Sequence, residues 1–251
     1  MIESTHPVYY RLYTKDGPLE SNNPIYSNDN FISRIVSLSV RPPQTAASLM
    51  RYLCKIEGLA LQNCILFQSL SEMTALNDSI RLSIQGTTGP GASVLDPMAL
   101  VVDKRSVERR SQVTRAVQPP KLLERDYEER YGAVLSCIIR NRPYEFSVYY
   151  LVYDDDGEIV SKTSFDENNP SLGRVDILSV PPPHTVSSLK NRIIISEDLS
   201  GHNVQLFEDG ASDSAMNDSD ALTLLSDTYP GCMEDCPIAI TYELGTTNGE
   251  E

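Results

Sequence analysis

Apolar positions along the chain follow two rhythms, and the same succession of rhythms occurs twice. Residues 7–14 and 147–153 are rich in Val and Tyr, the composition of a β-strand. Asp16-Gly17 and Asp156-Gly157 follow, a hairpin signal because glycine tolerates positive φ. A polar stretch containing Pro24 or Pro170 comes next, with room for a short second hairpin strand, as at Ile159-Val160-Ser161-Lys162-Thr163. Residues 34–40 and 174–180 then read as strands, ended by Pro42-Pro43 and Pro182-Pro183 because proline cannot donate to a ladder. Beyond the prolines the rhythm becomes helical. Ala46, Leu49, Leu53 and Ile56 recur at three- and four-residue spacing, as do Val186, Leu189, Ile193 and, less cleanly, Ile194. Thr45 and Thr185 stand where a side-chain oxygen caps the helix, and Gly58 suits the first helix's exit. Short strands at 64–67 and 204–207, a loop with Asn-Asp-Ser, and last strands at 98–102 and 238–242 complete each pattern.

The two patterns share one register, offset by 140 residues without a gap. Val8-Tyr9-Tyr10 matches Val148-Tyr149-Tyr150, and Leu38-Ser39-Val40 matches Leu178-Ser179-Val180. Pro42-Pro43, Thr45, Ser48, Leu49, Glu57 and Leu59 recur as Pro182-Pro183, Thr185, Ser188, Leu189, Glu197 and Leu199. Leu66-Phe67 and Asn77-Asp78-Ser79 recur as Leu206-Phe207 and Asn217-Asp218-Ser219. So long a period means a duplicated domain in which each copy has its own core. The expected division is a first repeat at 1–103, a basic linker at 104–143 and a second repeat at 144–251. Within the linker, Leu123, Tyr127, Tyr131, Val134 and Ile138 fall on one face of a helix expected over 121–140. Gly132 weakens that helix, and 133–139 also reads as a strand. An apolar linker face has to bury against a repeat or a second copy of the chain, so self-association through this helix is one expectation.

Hairpin, helix and further strands, with the helix crossing the sheet, make a β-grasp pattern. The run Val40-Arg41-Pro42-Pro43-Gln44-Thr45 through Ile56-Glu57-Gly58-Leu59 resembles the segment of ubiquitin from the end of its second strand through its helix. Leu66-Phe67 and Leu206-Phe207 fall where ubiquitin's third strand would be. The chain departs from ubiquitin by a longer stretch between hairpin and pre-helix strand and a longer polar insertion before the last strand. It is also similar, over nearly its whole length, to repeat proteins of mushroom-forming fungi with Pro-Pro-His-Thr-Val-x-Ser-Leu-Lys motifs, a likeness that brings no activity with it. The resemblance implies an α+β fold of two tandem ubiquitin-like (β-grasp) domains joined by a partly helical linker. The chain ends Gly249-Glu250-Glu251 without the di-glycine tail of conjugated modifiers, so the resemblance implies a protein that is not itself conjugated.

Charge sharpens this picture. The net charge is -14, which argues against general nucleic-acid or anionic-membrane binding. Residues 1–103 carry 7 basic and 9 acidic side chains, 104–143 carry 10 and 5, and 144–251 carry 4 and 21. The acidity therefore belongs to the second repeat, and the middle is a basic island. No run reaches the length of a transmembrane helix, and the first residues lack a signal-peptide layout. Five cysteines without a framework read as free thiols, so a cytoplasmic or nuclear protein is expected.

Candidate chemistry is sparse. Cys232 and Cys236, with His184 and His202 in the same half, lack the ligand set of a zinc site. Asp154-Asp155-Asp156-Gly157 and Glu208-Asp209-Gly210 lack the alternating ligands and closing glutamate of a calcium loop. No nucleophile–base set and no phosphate-cradling glycine loop emerges, so no cofactor and no metal is expected. The Asn-Asp-Ser elements read as Asx turns. The function expected is a non-enzymatic interaction or adaptor protein, with protein partners met at Leu66, Phe67, Leu206 or Phe207. Which member of each pair points outward is open at this point. The alternatives are a secreted or translocated fungal effector with ubiquitin-like domains and, last, an enzyme.

Overall fold

A computed structural model describes residues 6–103, Val107 and 147–243. The expected linker helix, with Leu123, Tyr127, Tyr131, Val134 and Ile138, lies outside the described residues. Among those described, the chain divides into two compact α+β units, each holding one sheet and one helix of 12 residues.

In the first unit β1 (Pro7–Thr14) is central. It pairs antiparallel with β2 (Gly17–Leu19) and β4 (Asp29–Val36), and parallel with β6 (Met98–Val102). The short β3 (Pro24–Tyr26) extends the sheet beyond β4, and β5 (Ile65–Phe67) closes it beyond β6. In the second unit β7 (Ser147–Asp154) is central, beside β8 (Gly157–Ile159), β9 (Leu172–Asp176) and the parallel β11 (Ile238–Glu243). The edge strand β10 (Asn203–Phe207) pairs with β11.

One side of the central strand has a divided neighbour. β2 pairs with the far half of β1, Leu12–Thr14, and β4 with the near half, Pro7–Arg11. β8 and β9 divide β7 in the same way. The chain leaves the sheet between the two half-strands, and this is where the longer stretch after the hairpin goes. The strands expected at 34–40 and 174–180 are shorter at their ends. Both finish in a 3-10 turn, Ser37–Ser39 and Ile177–Ser179, in which the Val40 and Val180 amides donate back to Ser37 and Ile177. The turn lets Val40 and Val180 reach the core at 1% and 0% exposure while Leu38 stands out at 57%.

α1 (Ala46–Glu57) and α2 (Val186–Glu197) cross one face of each sheet. Ala46, Leu49, Leu53 and Cys54 pack on Val8, Tyr10 and Leu12 of β1 and on Met98, Leu100 and Val102 of β6. Val186, Leu189 and Ile193 pack likewise on Val148, Tyr150, Val152, Ile238 and Ile240. Truncating one such leucine costs about 2–5 kcal/mol, more than any local helix preference, so core packing decides where the helix sits.

Each helix start is closed twice. Thr45 Oγ1 accepts from the Ser48 amide at 3.3 Å while Ser48 Oγ accepts from the Thr45 amide at 2.8 Å, and Thr185 and Ser188 repeat this reciprocal box. The next amides, Ala46 and Ala47, donate to the carbonyls of Ile80 and Asp78, and Val186 and Ser187 to those of Asp220 and Asp218. Those carbonyls are held in place by the Asx turns, in which Asn77 and Asn217 accept from the amides of Ser79 and Ser219. The Asn-Asp-Ser loop is thus the second half of the helix cap. At the other end Gly58 and Asp198 both take the left-handed conformation, φ 65° and 58°. The second helix therefore keeps its exit geometry without glycine, at a steric cost.

Thr45→Ala and Thr185→Ala are each expected to destabilise their own unit by about 1 kcal/mol. Native-state hydrogen exchange of the α1 and α2 core amides measures both effects, and the loss should appear in the substituted unit.

Candidate functional site

The densest polar chemistry in each unit is a buried glutamate at the last turn of the helix. Glu57 is fully buried and Glu197 is 4% exposed. Tyr10 Oη donates to Glu57 Oε1 at 2.6 Å, Ser21 Oγ donates to the same oxygen at 2.5 Å, and the Asn22 amide donates to Oε2 at 2.8 Å. In the second unit Tyr150 and Ser161 donate to Glu197 Oε1 at 2.6 Å each, and the Lys162 amide donates to Oε2 at 2.8 Å. Ser21-Asn22 and Ser161-Lys162 lie on the excursion between the half-strands, which thus brings donors over the helix end.

The outer parts of the two networks differ in a matched way. Ser33 donates to Ser21 Oγ and to the Asn23 carbonyl in the first unit. Its counterpart is Gly173, where a methyl group would overlap Ser161 Oγ and the Tyr150 ring. The missing hydroxyl comes instead from Thr163, which meets Tyr150 Oη at 2.6 Å and Glu197 Oε1 at 3.3 Å.

Burial raises the Tyr10 hydroxyl above its ordinary range, and the Glu57 charge adds to this. Tyr150 is raised by burial and by its bond to Glu197. Both tyrosines therefore stay protonated donors. Burial pushes Glu197 up, but the donors Ser161, Tyr150, the Lys162 amide and Thr163 outweigh it and hold the carboxyl below its usual range. A sealed, mutually satisfied set of this kind ties the fold together and offers no opening to a ligand.

Strand alternation settles the direction of the four residues expected to meet partners. Leu66 and Leu206 point to the helix side and are 2% and 1% exposed. They are core residues and are unavailable to a partner. Phe67 and Phe207 point to the outer face through their pairing with Ala99 and Ala239. Phe67 is nevertheless buried at 4%, in company with Tyr9, Tyr13, Ile32 and Ala99 on that face. Phe207 is half-exposed.

The two outer faces are therefore unlike. On the second sheet Leu151, Tyr153, Phe207 and Thr241 are all half-exposed. Phe165 lies against Tyr149 at 5.6 Å and beneath the Arg174 guanidinium at 4.3 Å. Exposed Glu158, Asp176 and Glu243 stand on the same face, at its rim. Tyr153 is raised by burial and by the charge of Glu158, a sign of how close this carboxylate lies.

Cys232 and Cys236 line an open cleft of about 350 Å³ with Glu208, Asp209 and Tyr229. Burial and the neighbouring Cys232 and Tyr149 push Tyr229 up to about 12, and its hydroxyl donates to the Ser147 carbonyl at 3.0 Å. Among the described residues no three His, Cys, Asp or Glu side chains converge as a metal site, and no helix is long and apolar enough to cross a membrane. His184 is buried at 3%, and His202 stacks edge-on to Tyr242 at 5.2 Å. Compared with protein-family models and with curated proteins, the chain matches none.

Glu197→Gln is expected to cost about 2 kcal/mol at neutral pH, because it removes charge from a set of donors that needs an acceptor. Folding lowers the Glu197 pKa. Its contribution is thus fully present above the ordinary glutamate value of about 4.3 and is lost as pH falls through the depressed folded value. Urea unfolding followed against pH checks this: the wild-type and Glu197→Gln curves for the second unit should converge in acid.

Proposed function

We propose that each unit is a ubiquitin-like β-grasp domain and that the chain is a non-enzymatic interaction or adaptor protein. The β-grasp reading is supported by the strand order β4-β1-β6-β5, parallel only at β1–β6, with the helix between β4 and β5. The second unit repeats it as β9-β7-β11-β10. The divided neighbour of the central strand is the departure from ubiquitin's pattern.

The observation that carries the interaction reading is the outer face of the second sheet. Leu151, Tyr153 and Phe207 supply apolar area, and Glu158, Asp176 and Glu243 supply a negative rim. Its partner is a protein surface with an apolar centre and a basic rim, since charges of opposite sign steer the encounter and apolar anchors hold it. The matching positions of the first sheet, Arg11, Tyr13 and Phe67, are buried, so the two units share a fold and not a partner surface. The composition of the second repeat, 21 acidic against 4 basic residues, supports the same partner chemistry.

Phe207→Glu and Leu151→Glu are each expected to weaken capture of the partner by about 2 kcal/mol, roughly 30-fold in Kd. Ile65→Glu, at an exposed position on the first sheet's outer face, should leave capture unchanged. Higher salt should weaken it. Equal capture by all three variants, with unchanged circular dichroism, would remove this face from the account.

A further inference from the structure

One pair of nucleophilic side chains belongs neither to the buried networks nor to the outer face. Cys54 lies on α1 and Cys64 immediately precedes β5, and their sulfurs are 3.4 Å apart. Cys54 is 2% exposed, while Cys64 is half-exposed, with its sulfur 3.1 Å from the Ala60 carbonyl. The equivalent positions in the second unit hold Ile194 and Val204. The fold therefore does not need thiols there, and the second unit is an internal control.

We propose that Cys54 and Cys64 form a peroxide-sensitive dithiol, a reversible modification site of the first unit in which Cys64 reacts first and Cys54 resolves. The Cys64 sulfur attacks one oxygen of a peroxide, the O–O bond breaks, and the thiol proton leaves with the departing oxygen as water. Cys64 is then a sulfenic acid. The Cys54 sulfur attacks the Cys64 sulfur, the S–O bond breaks, and the Cys54 proton leaves with that oxygen as a second water. Two thiols and one peroxide thus give one disulfide and two waters, and a thiol reductant reverses the result. Exposure assigns the order, because a peroxide reaches Cys64 and not Cys54. The acidities agree: the hydrogen bond from Cys54 lowers Cys64, while that same contact and burial raise Cys54. The sulfurs have about 1.4 Å to close to reach disulfide distance, within reach of side-chain rotation. The cross-link joins the last turns of α1 to the start of β5.

The test treats the full chain with hydrogen peroxide, alkylates it under denaturing conditions and maps the peptides without reductant. The expected product joins Cys54 to Cys64 with loss of two hydrogens and is reversed by dithiothreitol. Cys54→Ile should strand Cys64 as a sulfenic acid that dimedone traps, and Cys64→Val should leave Cys54 reduced. Both variants borrow the residues of the second unit, and circular dichroism reports their folding. The wild-type map stands without them. Recovery of Cys54 and Cys64 fully alkylated while Cys232 or Cys236 oxidises would overturn the proposal. So would a Cys64 sulfenic acid that persists in the wild-type chain.

Discussion

Glu57 and Glu197 end their helices, where the helix dipole disfavours a negative charge, and both are buried. A buried carboxylate survives only when donors replace its water. Tyr10 and Tyr150 supply one donor each from the central strand. The remaining donors come from chain that has left the sheet between two half-strands. The irregular part of the topology and the buried charge therefore explain each other. Removing the excursion would strand the glutamate, and removing the glutamate would leave the excursion nothing to fold over. The exchange of Ser33 and Asn23 for Gly173 and Thr163 has the same logic: a hydroxyl moves from strand to loop, and the strand position empties to admit it.

With the interior held in common, the surfaces are free to differ. On the first sheet's outer face Tyr9, Tyr13, Ile32 and Phe67 are buried. The second keeps Leu151, Tyr153 and Phe207 half-exposed among carboxylates. The helix exits show the same tolerance, since Asp198 accepts the backbone conformation that Gly58 adopts freely and places its carboxylate 3.2 Å from Lys162 Nζ. A duplicated scaffold with one half-exposed outer face suits the interaction role proposed for the chain, and the Cys54–Cys64 contact has no counterpart at Ile194 and Val204 of the second unit.

Much of this is legible in the sequence. The capped helices could be read because Thr45 and Thr185 precede an apolar stripe whose period is unambiguous. The central and last strands could be read because their Val, Tyr and Ile runs are bounded by turns. The divided strand could not. β4 begins at Asp29 among Asp and Asn residues that read as loop, and Leu38-Ser39-Val40 continues an apolar run through what is a 3-10 turn. The glutamate networks were half visible. Tyr10, Ser21 and Glu57 recur as Tyr150, Ser161 and Glu197 at one offset, but a helical glutamate reads as surface until the topology brings a loop over it. Phe67 shows the same limit: its direction stays open in the sequence, and the pairing of β5 with β6 shows both that it points to the outer face and that it is buried there. Cys54 and Cys64 sit on different elements with no motif spacing, so only the fold brings them together.

The excursions are fixed to buried carboxylates, and amide hydrogen exchange at Asn22 and Lys162 measures this most directly. Both lie outside strands and helices, yet each donates to a glutamate at 2.8 Å. These two amides should exchange as slowly as those of β1 and β7, released only by the opening of the whole unit. Exchange at the rate of ordinary exposed loop amides would contradict this.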